Sequence, residues 1–166
     1  MTIKDILVHM DSGERAAIRL DLAITLARRF DARVFGLFAQ VERSAPSLVA
    51  RKASDALRAA GARAETMFLE KTEAAGVRAK WQALAQGEYS FVIRETIICA
   101  RFADLVILGQ HDREHDGTLV PDELPEQVIL HSGRPVLMVP YAGEFTDAGR
   151  RVMVAWNAGR ESARAV

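Results

Sequence analysis

Residues Ile6-Leu7-Val8-His9-Met10 form a short apolar run closed by Asp11-Ser12-Gly13, the pattern of a buried strand entering a turn. From Glu14 to Phe30 the period changes. Ile18, Leu22 and Leu26 fall on one helical line with Ala23, Ala27 and Phe30 beside it, and Ser12 is placed to cap this helix. Arg33 to Ala39 returns to a nearly continuous apolar run, as expected of a parallel strand covered on both faces. Pro46 to about Ala75 is rich in Ala, Leu, Arg and Glu and predicts helix, with a break near Gly61. Val77, Ala79, Trp81, Ala83 and Ala85 then alternate with polar residues as a third strand. Tyr89 to Phe102 is predicted as helix, Asp104 to Leu108 as a strand ending at Gly109, Leu124 to His131 as helix and Pro135 to Val139 as a fifth strand.

Strict alternation of strand and helix predicts an α/β domain with a parallel, doubly wound sheet. Such sheets hold ligands beyond the carboxyl ends of their strands, where the strand order reverses. Asp11, the Ala39-Gln40-Val41 segment and Gly109 all fall at such ends, and they mark the candidate site. Beyond Pro140, residues 141–150 have no periodicity and read as a linker. Residues 151–166 then repeat the layout of the chain's opening at an offset of 146 positions: Val8, Asp11, Gly13 and Ala17 meet Val154, Asn157, Gly159 and Ala163. The expected organisation is one domain over 1–140, the linker, and the first strand and helix start of an incomplete second domain.

Composition narrows the function classes. An apolar content of 49% with 27% charged residues is that of a soluble globular protein. Lys and Arg total 22 and so do Asp and Glu, so no net charge attracts nucleic acid or an anionic membrane. The single cysteine, Cys99, has no internal disulfide partner, and no signal-like or membrane-spanning apolar run is present, which fits a cytoplasmic location. There is no hydrolase elbow, CxxC pair, metalloprotease motif or complete Walker loop, and no catalytic set emerges. Cys99 lies beside Ile97 and Ile98 and reads as an inert buried thiol; Trp81 and the phenylalanines fit core positions. Arg51, Lys52, Arg58 and Arg63, offset by Asp55, Glu65 and Glu70, read as a solvated helix face.

The segment from Gly109 to Val139 carries the most specific pattern: Gly109-Gln110-His111-Asp112, nine residues, Asp122-Glu123, a helix, then Arg134-Pro135-Val136. It resembles the nucleotide loop of the universal stress protein family, in which Gly, two residues, Gly, nine residues and Gly-Ser/Thr precede a helix and a Pro-Val strand. Ala103-Asp104-Leu105-Val106-Ile107-Leu108-Gly109 is similar to that family's strand before the loop, and Asp11-Ser12-Gly13 stands where the family has Asp-Gly-Ser. The resemblance covers nearly the whole chain. It implies a Rossmann-like five-stranded parallel sheet of order 3-2-1-4-5 with helices on both faces, and pairing of domains through the fifth strand. The internal offset is similar to the family's tandem branch.

In nucleotide-binding members the aspartate after the first strand contacts adenosine and the glycine-rich loop wraps the phosphates. Asp11 matches the first role. In the loop, Asp112 and Asp122 replace glycines and Glu123 replaces the hydroxyl residue. Small residues let backbone N–H groups approach phosphate, whereas carboxylates fill that space and repel it. Two unit charges about 4 Å apart repel by roughly 4 kcal/mol at a near-surface dielectric. Asp122 also has a plain structural role open to it, as the cap of the helix beginning near Leu124.

His111, Asp112, His115 and Asp116 are the residue types and spacings that can hold a divalent metal, but the segment Gln110 to Pro121 is polar and a solvated loop is the preferred reading. His9 is expected to be a hydrogen-bonded core histidine, and His131 to favour a helix C-terminus. The leading expectation is a non-enzymatic stress-response protein acting through dimerisation or a protein partner, with no cofactor expected and ATP or AMP disfavoured. Alternatives are a sensor that keeps an adenine-type pocket at Asp11 and Val41 but accepts a ligand with few phosphates, and an ATP-binding or ATP-hydrolysing switch. The expected homodimer forms through Pro135 to Val139.

Overall fold

The computed structural model describes residues 2–42, 53–111, 119–157, 159–160 and 162. Nine elements alternate: β1 (Asp5–Met10), α1 (Arg15–Phe30), β2 (Arg33–Phe38), α2 (Asp55–Ala74), β3 (Ala79–Ala83), α3 (Tyr89–Ala100), β4 (Leu105–Gly109), α4 (Leu124–His131) and β5 (Val136–Val139). All strand pairs are parallel, in the order β3-β2-β1-β4-β5. β1 is therefore central, with β2 on one side and β4 on the other. The reversal of strand order falls between β1 and β4.

The sheet is buried on both faces because alternate β1 side chains enter different cores. Ile6, Val8 and Met10 join α1 and α2 residues such as Leu20, Ala23 and Phe68. Leu7 joins Val92, Ile97, Leu124 and Val128 of α3 and α4. Gly36 in β2 has a steric reason. A Cβ there would lie 2.6 Å from Phe68 and 2.7 Å from the Trp81 ring, so its absence lets both rings cover the strand. Phe68 and Trp81 meet at 5.1 Å between centroids. Phe102, in contrast, is 81% exposed and is not a core residue.

The helix ends differ from the sequence reading in instructive ways. The cap position of α1 is Glu14, with no side-chain cap bond. Ser12 is not the cap; its amide instead donates to Gln40 Oε1 at 2.9 Å, tying the β1 turn to the end of β2. α2 runs unbroken through Gly61, which lies under Phe38: a Cβ would meet the ring at 3.3 Å. The part of the predicted helix from Pro46 to Lys52 lies outside the described residues. Ser54 caps α2 through its hydroxyl, and the Glu88 carboxylate caps α3 by accepting from the Ser90 and Phe91 amides. Those bonds hold the Glu88 carboxyl below its ordinary range. α1 ends with Asp31 in the left-handed conformation at φ 51°, which Asp tolerates better than most residues.

Residues 141–148 do more than link. Arg15 donates to the carbonyls of Pro140 and Gly143, and Arg29 to that of Ala148 while pairing with Asp147. Phe145 and Ala148 pack against the core beside α1. Beyond Gly149 the chain leaves that core: 151–157 has no regular structure, and Val152, Met153, Val154 and Trp156 are exposed.

Candidate functional site

Three strand ends and one helix build the crevice at the carboxyl side of the sheet. β1 delivers Asp11, β2 delivers Ala39, Gln40 and Val41, β4 delivers Gly109, and α1 sends Arg19 across the gap between β1 and β4. Arg19 is 4% exposed despite its charge. Its Nε donates to the His9 carbonyl at 3.0 Å and its Nη2 to Asp11 Oδ2 at 2.5 Å. Its Nη1 lies over Gly109, where a Cβ would sit only 2.7 Å away. The other Asp11 oxygen accepts from the Gly13 amide at 2.7 Å, closing a tight turn.

His9 completes this cluster from below. Its Nε2 donates to the Ala39 carbonyl at 2.7 Å, which leaves Nδ1 as the bare nitrogen facing Asp11 Oδ2 at 3.8 Å. Burial outweighs the attraction of Asp11 and lowers its pKa to about 4, so the ring is neutral at pH 7. The core-histidine expectation holds. Ala39 is fully buried and meets the site only through its backbone.

The loop after β4 returns to the same crevice. The Val41 amide donates to the Leu119 carbonyl at 2.6 Å, so the loop's far end is stitched to the end of β2. Glu123 accepts a hydrogen bond from the Tyr89 hydroxyl, which pushes the Tyr89 pKa up to about 12. His111 Nε2 lies 3.3 Å from Asp122 Oδ1. Asp122 does not cap α4. The cap position is Glu123, without a side-chain cap bond, and Pro125 stands in the first turn. His131 does occupy the last turn of α4, where the helix dipole favours it.

Asp11, Ala39, Val41, Gly109, Asp122 and Glu123 are thus all at the carboxyl end of the sheet. Asp112, His115 and Asp116 lie outside the described residues. Among the described residues no three His, Cys, Asp or Glu side chains are grouped to hold a metal ion. Arg19 is the site residue that the apolar pattern of α1 does not single out. Its signal was present, since it stands three residues after Ala16 and four before Ala23, on the buried side of α1. Tyr89 carries no such signal, because only the fold brings it to the loop, whereas Gln40 lies in the segment that the strand pattern already marks.

A comparison with curated proteins finds no match. Solved structures do match over nearly their whole lengths. A universal stress protein family member from Burkholderia pseudomallei is 24% identical, with a TM-score of 0.62 over 84% of this chain and 97% of its own. A universal stress protein from Archaeoglobus fulgidus in complex with dAMP is 16% identical, with a TM-score of 0.55 over 83% and 98%. One from Arabidopsis thaliana with AMP bound is 15% identical, with a TM-score of 0.52 over 82% and 91%. At these identities the likeness speaks to the fold. The sequence model of the universal stress protein family matches residues 2–140, over the same strands, turn and loop that build this crevice, and the chain belongs to that family.

Proposed function

We propose that this chain is a non-enzymatic stress-response protein whose nucleotide loop no longer serves a triphosphate, and that it acts through dimerisation or a protein partner. The observation that carries this reading is the occupation of the crevice by the chain's own groups. Arg19 saturates Asp11 on one oxygen, and the Leu119 carbonyl takes the Val41 amide. Asp122 and Glu123 are carboxylates where the family's loop has Gly and Ser/Thr, and Glu123 accepts from the Tyr89 hydroxyl. A ligand at this position must displace internal hydrogen bonds and approach like charge.

A second reading has a specific observation in its favour. Proteins of the same fold have been solved in complex with dAMP and with AMP bound, and in this chain Asp11 follows the carboxyl end of β1. Adenosine or a monophosphate places less negative charge against Asp122 and Glu123 than ATP does. Calorimetry separates the two readings. ATP is expected to bind with a dissociation constant weaker than about 10 μM, near −7 kcal/mol; tighter binding without metal overturns the proposal. AMP or adenosine binding well below that value while ATP fails selects the second reading. The combined variant Asp112→Gly, Asp122→Gly, Glu123→Ser is expected to gain ATP affinity.

A further inference from the structure

A second concavity lies at the opposite end of the sheet, near the amino ends of β1 and β2, with a volume of about 280 Å³. It exists because the edge strand β3 is covered unequally. α2 packs on one of its faces through Trp81 and Phe68, while Lys80 and Gln82 on the other face stay exposed beside the end of α3. The walls are apolar: Phe35 from β2, and Ile98, Cys99, Phe102 and Ala103 from the last turn of α3 and beyond. Phe102 is the most exposed large apolar residue described within 2–140, with Ile98 beside it at 38%. A monomer's surface offers no reason to keep these two side chains together in water.

The charged groups at the rim are not equivalent. Arg33 is committed to Asp5, at 2.7 Å from Nε and 2.6 Å from Nη2. Glu95, near Cys99, is paired with Arg94 at 3.1 Å. Lys80 makes no ion pair among the described residues; its ammonium sits 5.8 Å from the centre of the Phe35 ring. The cleft therefore combines an apolar wall with a cation that rests near the Phe35 ring and has no carboxylate partner among the described residues. A cationic guest is repelled, and a neutral apolar guest crowds Lys80 without giving it a counter-charge.

We propose that this cleft is a binding site for a small amphipathic carboxylate, its acid group against Lys80 and its apolar body between Phe35, Ile98 and Phe102. The volume lies just under the usual range for drug-sized ligands, which limits the guest to a single ring or a short chain. The site is independent of the carboxyl-end crevice and of any nucleotide bound there.

Cys99 makes the proposal testable, because it is the chain's single cysteine and lines the cleft. Burial, with Glu95 adding to it, raises its pKa, so alkylation is slow enough to follow by mass spectrometry. The probes are phenylacetate and its neutral isostere phenylacetamide, added to the full chain with iodoacetamide. Phenylacetate is expected to protect Cys99 saturably, and phenylacetamide to require about fivefold more for the same protection, the scale of one exposed ion pair. Lys80→Gln, at an exposed position that leaves the fold intact, is expected to bring phenylacetate to the level of the amide, and Lys80→Arg to preserve the difference. Equal protection by acid and amide, indifference to Lys80→Gln, or no saturation up to the solubility limit overturns the proposal. Protection that rises with protein concentration in the absence of probe also overturns it, since a second copy then covers the cleft.

Discussion

Arg19 leaves α1 on the buried side and ends with its guanidinium between the Asp11 carboxylate and the backbone of Gly109. Gly109 therefore has an internal reason to be glycine: any side chain strikes Arg19, whether or not a phosphate ever approaches. The pair also explains how two charges survive at a nearly closed site. Each satisfies the other, with the His9 carbonyl and the Gly13 amide taking further bonds. His9 beneath them supplies a pH dependence. Its pKa is about 4 folded against 6.5 for the free side chain, so the unfolded chain binds more protons between those values. Stability is then complete above about pH 6.5 and falls as pH drops towards 4, by about 3 kcal/mol for this group. Urea midpoints measured from pH 7 to pH 5 are expected to decline in the parent and to stay flatter in His9→Gln. Parallel slopes for the two proteins assign the decline to carboxylates instead.

At the scale of elements, helix existence was plain from apolar spacing, while helix ends were not. The sequence places the cap of α1 at Ser12 and that of α4 at Asp122, yet neither side chain makes a cap bond. α1 starts two residues after Ser12, beyond its cap position, while the Asp122 carboxylate faces His111. Glycine disfavours helix in isolation, so Gly61 reads as a break, but in the structure it lies under Phe38, where a Cβ would make a tight 3.3 Å contact. Gly36 gives the sharpest test of such packing. Gly36→Ala drives a methyl into Phe68 and Trp81 and is expected to cost about 1–3 kcal/mol, the range for overpacking. Chemical denaturation followed by far-UV circular dichroism measures it; a loss below about 0.5 kcal/mol means the two rings move aside freely.

At the scale of the whole molecule, β5 is an edge strand with β4 on one side and no described strand on the other. Val136 and Met138 lean on the α3–α4 core and Leu137 on the α1 core, all half-buried, so a strand added at this edge extends both cores at once. A homodimer through Pro135 to Val139 is the expected state, and light scattering at high micromolar concentration checks it; a monomer there refutes it. Met138→Lys is expected to shift the population to monomer by placing a charge at the joint. No described helix is long and apolar enough to cross a membrane. At the far end, Asn157 Oδ1 accepts from the Gly159 amide at 3.0 Å just as Asp11 Oδ1 accepts from Gly13 at 2.7 Å. The two positions of the repeat share this one hydrogen bond, but the strand expected over 151–156 is not formed in the structure.

Sequence alone determined the alternation of strands and helices, the parallel sheet and the placing of Asp11, Val41 and Gly109 at strand ends. These follow from short-range periodicity and from the rule that strand ends carry the crevice, and both are written in neighbouring residues. The tertiary structure decided what occupies that crevice. Arg19 meets Asp11 and Gly109, Leu119 meets Val41, and Tyr89 meets Glu123 across separations that no local pattern encodes. It also decided that 141–148 packs on α1 and that Lys80, Cys99 and Phe102 share one cleft. The physical reason is common to all of them. A charged or polar side chain in a helix or loop has the same sequence signature whether it faces water or a partner, and only the packed chain chooses between the two.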